Sequence, residues 1–185
     1  MLNMLGGLDT LDAGELTIEG RSLIGLTPKE RTLYRKEEVG FVFQFYNLIP
    51  DLTVEENIEV VSDISESPLD LSEVLGALEL EPYRRRFPRE LSGGQQQRAA
   101  IARAMIKNPR LLLCDELTGA LDTHSSKNVL QFVEMMNRKY GTTVVIITHN
   151  EAIAKMADQI IRIRDGRVEE SVFNEKKIPA EALEL

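Results

Sequence analysis

Cysteine is nearly absent from the 185 residues: Cys114 stands alone, so no disulfide can form within the chain. Its place in an apolar run reads as a small buried hydrophobe rather than a reactive thiol, and a lone cysteine fits a reducing compartment. Positive charge is also scarce, with 22 Lys and Arg against 30 Asp and Glu and a formal net charge of −8. Non-specific nucleic-acid affinity comes from basic side chains displacing counterions, so a general polyanion binder is excluded and no nucleic-acid partner is expected. A nucleotide pocket stays open to such a chain, because a few backbone N–H groups and one metal ion outweigh the global field at a single site. No stretch approaches the ~20 consecutive apolar residues that span a bilayer. Residues 1–8 hold no basic side chain, unlike a secretory leader, so any membrane role is expected to be peripheral. Internal repeats and low-complexity segments are missing too. What is there is the composition of a soluble globular protein, 43% apolar and 28% charged, at a length that suits one domain with its own core.

The hydrophobic pattern points to an α/β domain. Residues 1–5 read as the last turns of a helix, closed by Gly6-Gly7. Residues 14–23 alternate apolar and polar about Gly20, the pattern of a small antiparallel hairpin. Pro28 opens a short helix through about Lys36. Val39–Phe43 is a run of β-branched and aromatic residues, a buried strand ending at Gln44. From residue 54 to 89 acidic and apolar residues mix at helical spacing, with Pro68, Pro82 and Pro88 as punctuation. With the following helix they predict a helical subdomain, 54–108, inserted in the α/β core. Leu111–Cys114 and Val144–Ile147 are continuous apolar runs, as expected of parallel strands covered on both faces. Val129, Leu130, Val133 and Met136 form a helical stripe between them. A helix from Glu151 to about Ala157 leads to a strand at Gln159–Ile163, a turn at Asp165-Gly166 and a last strand at Arg167–Val168. The charged tail after Ser171 is expected to be an exposed end.

Four segments place a polar group where a strand ends or a helix begins, and in open α/β sheets the ligand lies beyond the carboxyl ends of the strands. Leu91-Ser92-Gly93-Gly94-Gln95 precedes a helical run, so that Ser92 can cap the helix. The glycines let phosphate oxygens approach free N–H groups at its positive end. Leu111–Cys114 delivers Asp115 and Glu116 as adjacent carboxylates, which point opposite ways on a strand; one can serve a magnesium ion while the other faces a water. Val144–Ile147 runs through Thr148 to His149, an imidazole just past a buried strand. Gln44 ends the Val39–Phe43 strand with an amide that can offer its oxygen to a metal or a water.

These segments resemble the ATP-binding subunits of ATP-binding-cassette (ABC) transporters, and they occur in that family's order. Gln44 matches the Q-loop, Leu91–Gln95 with Gln96, Gln97 and Arg98 the signature, and Leu111–Glu116 the Walker B strand. Gly119-Ala120-Leu121-Asp122 matches the D-loop and His149 the histidine switch. Phe43-Gln44-Phe45-Tyr46-Asn47-Leu48-Ile49-Pro50 and the segment Ile161–Arg167 are similar to the macrolide-export and lipoprotein-release subgroup. The resemblance implies a P-loop NTPase-like parallel sheet flanked by helices, with the helical signature subdomain and a small N-terminal antiparallel element. It implies ATP and Mg2+ as cofactors, the ion on Asp115 and Gln44, Glu116 as general base and His149 at the γ-phosphate. Nucleotide contacts fall to Gln44, Ser92, Gly93, Gly94, Gln95 and Asp122. The partners it implies are a second cassette and transmembrane permease subunits, with the chain peripheral on the cytoplasmic face of the membrane and, from the subgroup, an exporter. A non-transport ABC ATPase of DNA repair or chromosome structure fits less well, since the spacing from Gln44 to Ser92 leaves no room for a long coiled coil.

The sequence departs from the family at one decisive point: Gly-x-x-x-x-Gly-Lys-Ser/Thr, the Walker A phosphate loop, does not occur in it. In the family that loop runs into a helix similar to Met1-Leu2-Asn3-Met4-Leu5-Gly6-Gly7-Leu8. The expectation is a single cassette domain, 1–185, incomplete at its N-terminus as a shortened product or a mis-set start, that does not hydrolyse ATP by itself. It would then lend Ser92, Gly93 and Gly94 to an intact partner. The loop's strand is central in the family's sheet, so two apolar strands are expected to have unpaired edges. A smaller departure is Leu117, where the family has proline.

Overall fold

The computed structural model describes every residue except Phe45 and Ala120. Those two positions, one in the Phe43–Pro50 phrase and one in the D-loop match, lie outside the described residues. The order along the chain begins α1 (Leu2–Leu5), β1 (Thr17–Ile18), β2 (Arg21–Ser22), α2 (Pro28–Glu37), β3 (Val39–Val42), α3 (Val54–Ser62), α4 (Leu71–Ala77) and α5 (Gly93–Met105). It continues with β4 (Leu111–Asp115), α6 (Thr123–Tyr140), β5 (Thr143–Ile147), α7 (Glu151–Ala154), β6 (Gln159–Arg164) and β7 (Arg167–Phe173). Local chemistry sets the helix starts. Thr27, Thr53 and Ser92 each close a capping box with the Glu or Gln three residues on, and Pro28 occupies the first helical position of α2. Gly141, at φ +72°, ends α6 in the left-handed conformation that a side chain resists.

β3, β4 and β5 form a parallel sheet in that order, flanked by helices, with β1–β2 and β6–β7 as separate antiparallel pairs. The fold is therefore α/β. Side chains alternate across β4: Leu112 and Cys114 enter a large core shared with α3, α4, α5 and α6, whereas Leu111 and Leu113 pack with Tyr34, Leu2 and Leu5 on the other face. Burial pushes the Cys114 thiol well above its ordinary range, which leaves it the inert hydrophobe its context predicts. Gly40 in β3 permits a close approach by α5: a Cβ there would lie 2.8 Å from the Ala104 carbonyl oxygen. The tail departs from expectation. β7 runs on to Phe173, and the segment beyond it returns to the core, where Ala180 and Leu183 are buried and Ile178 is packed alongside. It is not an exposed end; three sparse apolar residues among charged ones anchor it. α7 also stops at Ala154, short of the expected Ala157.

Among the described residues β5 pairs only with β4 and β6 only with β7, so both have an open edge, as the sequence implied. Ile161, Ile163, Val168 and Phe173 on the β6–β7 hairpin are exposed. No helix among the described residues is long and apolar enough to cross a membrane.

Candidate functional site

Parallel register brings three sequence-predicted groups to one end of the sheet. Val42 pairs with Cys114 and Asp115 with Ile147, so Gln44, Glu116 and His149 each follow a strand by a step or two at the same carboxyl edge. The Asp115 side chain falls on the α1 side of β4 by alternation from Leu113. Glu116 breaks the alternation: at φ +53° it is a non-glycine residue in left-handed backbone, which aims its carboxylate away from the strand's regular path. There Glu116 Oε1 lies 2.9 Å from His149 Nδ1. An ionised carboxylate only accepts, so Nδ1 is the donor in this contact. His149 is 85% exposed and Glu116 23%, so the contact contributes little to stability. Its consequence is orientation. Gln44 is exposed beyond β3.

A second group of predicted residues meets at the start of α5. Ser92 Oγ accepts from Gln95 N at 3.3 Å and Gln95 Oε1 accepts from Ser92 N at 2.8 Å, so Gln95 serves the helix cap. Among the described residues the N–H groups of Gly93 and Gly94 have no acceptor, and the turn is open to solvent rather than sunk in the core. Ser92–Gln95 line a cleft of about 410 Å³ together with Arg98, Asp122 and Ser125. Asp122 caps α6, accepting from Ser125 N at 2.9 Å and from the Ser125 hydroxyl at 2.8 Å; these bonds hold its carboxyl below the ordinary aspartate range. Two helix starts with their positive dipole ends therefore face one cleft. A smaller cavity of about 140 Å³ between the Gly7 turn and the β1–β2 hairpin contains none of the predicted residues.

Polar groups here suit a phosphate chain: the N–H groups of Gly93 and Gly94 at the head of α5, with Arg98 among the residues lining the cleft. A Cβ at Gly93 would reach 3.1 Å from Tyr46 Oη, so glycine keeps the approach open. For the metal, Asp115 and Gln44 supply oxygen donors of the kind a hard cation takes. No group of three or more His, Cys, Asp or Glu among the described residues is placed to hold an ion. Sequence reasoning quoted Gln97 and Arg98 without giving them roles, and passed over Ser125 and Arg103. Gln97 Nε2 donates to Leu117 O at 3.2 Å, and Arg103 donates to the carbonyls of Asn47 and Tyr46 at 2.7 and 3.2 Å. Charged or amide side chains on the buried face of an otherwise apolar helix were the available signal.

The profile of the family described as ABC transporter matches residues 1–119. An ABC transporter ATP-binding protein of Mycoplasma pneumoniae, the MG467 homolog, is 40% identical over 91% of this chain and 50% of its own length, so the chain spans about half of that relative. The lipoprotein-releasing system ATP-binding protein LolD 1 of Chlorobium luteolum is 38% identical over 91% of this chain and 76% of that protein. Among solved structures, the cassette MJ0796 superposes with a TM-score of 0.85 at 37% identity over 94% of this chain and 79% of that chain, in a dimeric post-hydrolysis state bound to ADP and Pi. A second dimeric structure of MJ0796 gives 0.86 at 38% identity. On these matches the chain belongs to the ABC transporter ATP-binding family.

Proposed function

We propose that the chain serves as the ATP-binding and ATP-hydrolysing subunit of an ABC exporter, paired with a second cassette and coupled to a membrane permease on the cytoplasmic face. The observation that carries this reading is the Glu116–His149 contact at 2.9 Å, which poses a carboxylate and an imidazole together at the carboxyl edge of the sheet. Glu116 would take the proton of an attacking water, and His149 would steer that carboxylate beside the terminal phosphate. Asp115 and Gln44 would hold the magnesium ion, whose charge neutralises phosphate oxygens when it is bound. Ser92, Gly93 and Gly94 would donate to the phosphates of the partner cassette's nucleotide, with Gln95 holding the turn and Asp122 reaching across the interface. The likeness to LolD 1 supports an exporter-type partner. A helical subdomain at 54–108, inserted in the α/β core, would carry the signature turn toward a second cassette.

The solvent-open Ser92–Gly94 turn at the head of α5 also suits a second reading, in which the chain lends its signature turn to an intact cassette without turnover of its own. The experiment is phosphate release from MgATP by the purified chain, alone and with membranes carrying a candidate permease. Glu116→Gln is expected to lower any turnover by a factor of about 10² or more while MgATP binding persists. Turnover by the chain alone supports the first reading. Its absence, with MgATP-dependent association to an intact cassette, supports the second. Neither turnover nor association would defeat both.

A further inference from the structure

Arg98 lies one turn into α5 and is 8% exposed, yet it is charged, and among the described residues its Nε has no partner. Its Nη1 donates to Ser125 Oγ at 3.0 Å and stands 3.6 Å from Glu79 Oε2. The Ser125 hydroxyl accepts from Arg98 and passes its own hydrogen to Asp122 Oδ2, so the three side chains form a one-directional relay from α5 to the cap of α6. Gln97, the neighbouring residue, is 1% exposed and holds the Leu117 carbonyl. Two consecutive α5 residues thus hold both ends of the connection from Glu116 to Asp122. An apolar side chain of similar size would serve packing better, because a buried guanidinium with an unsatisfied nitrogen costs desolvation that its bonds only partly offset.

We propose that Arg98 is a positioning residue: acting through Ser125, it fixes Asp122 and the start of α6 against the phosphate-facing turn Ser92–Gly94, so that occupancy of the turn is transmitted to the Glu116–Asp122 connection. The inference rests on the nucleotide-binding reading of that turn. Its physical basis is directional. One guanidinium nitrogen, Nη1, addresses both Ser125 and Glu79, so the contact depends on a donor at that one point, which a glutamine amide does not supply with charge.

The test titrates MgATP into the isotopically labelled chain mixed with an intact, unlabelled cassette and follows the labelled chain's backbone amide resonances. In the wild type, Gly93, Gly94 and the Asp122–Ser125 amides are expected to move with one midpoint. In Arg98→Gln the Gly93 and Gly94 amides still move, but the response at Asp122–Ser125 falls by about fivefold or more. Ser125→Ala, a milder change that leaves the guanidinium in place, is expected to give the same uncoupling, Arg98→Lys, whose ammonium can donate to both oxygens, to restore part of the response, and the double variant to add nothing to either single change. A residue that only packs would not separate the two sets of resonances in folded protein, which the dispersion of each spectrum reports. Retained response at Asp122–Ser125 in Arg98→Gln, or additive losses in the double variant, would overturn the inference alone. A wild type whose Gly93 and Gly94 amides ignore MgATP would overturn the nucleotide reading and the inference with it.

Discussion

Replacing Gly40 with alanine is expected to loosen the contact that seats α5 on the sheet. The new Cβ would lie 2.8 Å from the Ala104 carbonyl oxygen, 3.0 Å from Leu112 Cδ1 and 3.1 Å from Pro109 Cγ. Carbon and carbonyl oxygen settle no closer than about 3.3 Å, so α5 must retreat by about half an ångström. None of the three neighbours gives way readily: one is helix backbone, one a proline ring, and Leu112 is fully buried in the middle of β4. Overpacking of this kind costs about 1–3 kcal/mol, and the lower entropy of an unfolded chain with alanine returns about 0.4–1 kcal/mol. The net loss is about 1–2 kcal/mol. With an m-value near 2 kcal/mol/M, the urea midpoint should fall by about 0.5–1 M at unchanged slope.

Far-UV circular dichroism in a urea series reads this directly, and Gly119→Ala supplies the control. A Cβ at Gly119 meets its nearest neighbour, the Glu116 carbonyl oxygen, at 3.6 Å, an ordinary contact, so stability should stay within about 0.5 kcal/mol. A Gly40→Ala protein as stable as wild type, or a Gly119→Ala protein that loses more than Gly40→Ala, would refute the claim that close approach of α5 to β3 sets the place of the signature turn.

Leu112→Ala should lower stability by about 2–5 kcal/mol in the same melts, because Leu112 is fully buried between β3 and β5 and its neighbours cannot close the cavity. Asp122 gives a pH signature. Its folded carboxyl is held below its ordinary value of 3.8 by the Ser125 bonds, so the unfolded chain takes up the proton first. The contribution is therefore complete above that value and is lost as pH falls through the folded one. Urea midpoints of wild type and Asp122→Asn, which keeps a capping side chain, should draw together in that acid window and stay apart at neutral pH; a constant difference would contradict the assignment.

Much of the site was legible because it depends on short-range rules. Apolar runs at Val39–Phe43, Leu111–Cys114 and Val144–Ile147 fix three parallel strands. Once those are in register, Gln44, Glu116 and His149 must share an edge, since each stands just beyond its own run. The capping box at Ser92 is likewise written in the residue types at its two ends. The left-handed backbone at Glu116 was not legible, because no glycine or asparagine marks it and the surrounding fold imposes it. Nor was the Arg98–Ser125 bond, which joins residues 27 apart whose meeting depends on how α5 and α6 pack. The tail was misread for a related reason: Ala180 and Leu183 bury against α6 with a spacing too short and too isolated to register as a pattern.

The open edge of β5 carries a last consequence that hydrogen exchange can read residue by residue. Thr143 N donates to Arg110 O, and Ile147 O accepts from Glu116 N, which fixes the phase of the β4–β5 ladder. In a parallel pair, alternate residues bond to the same neighbour, so Thr143, Val145 and Ile147 address β4 while Val144 and Ile146 turn their N–H groups outward. No acceptor meets them among the described residues. Val145 can exchange only when β5 parts from β4, which lies at the centre of the sheet and the core. Its amide should therefore exchange about 10³-fold or more slowly than those of Val144 and Ile146, given an overall stability of at least about 5 kcal/mol. Slow exchange at all three positions would mean that another strand, from this chain or from a second copy, sits on that edge in solution. The geometry at His149, two residues beyond, would then be set from both sides rather than from β4 alone.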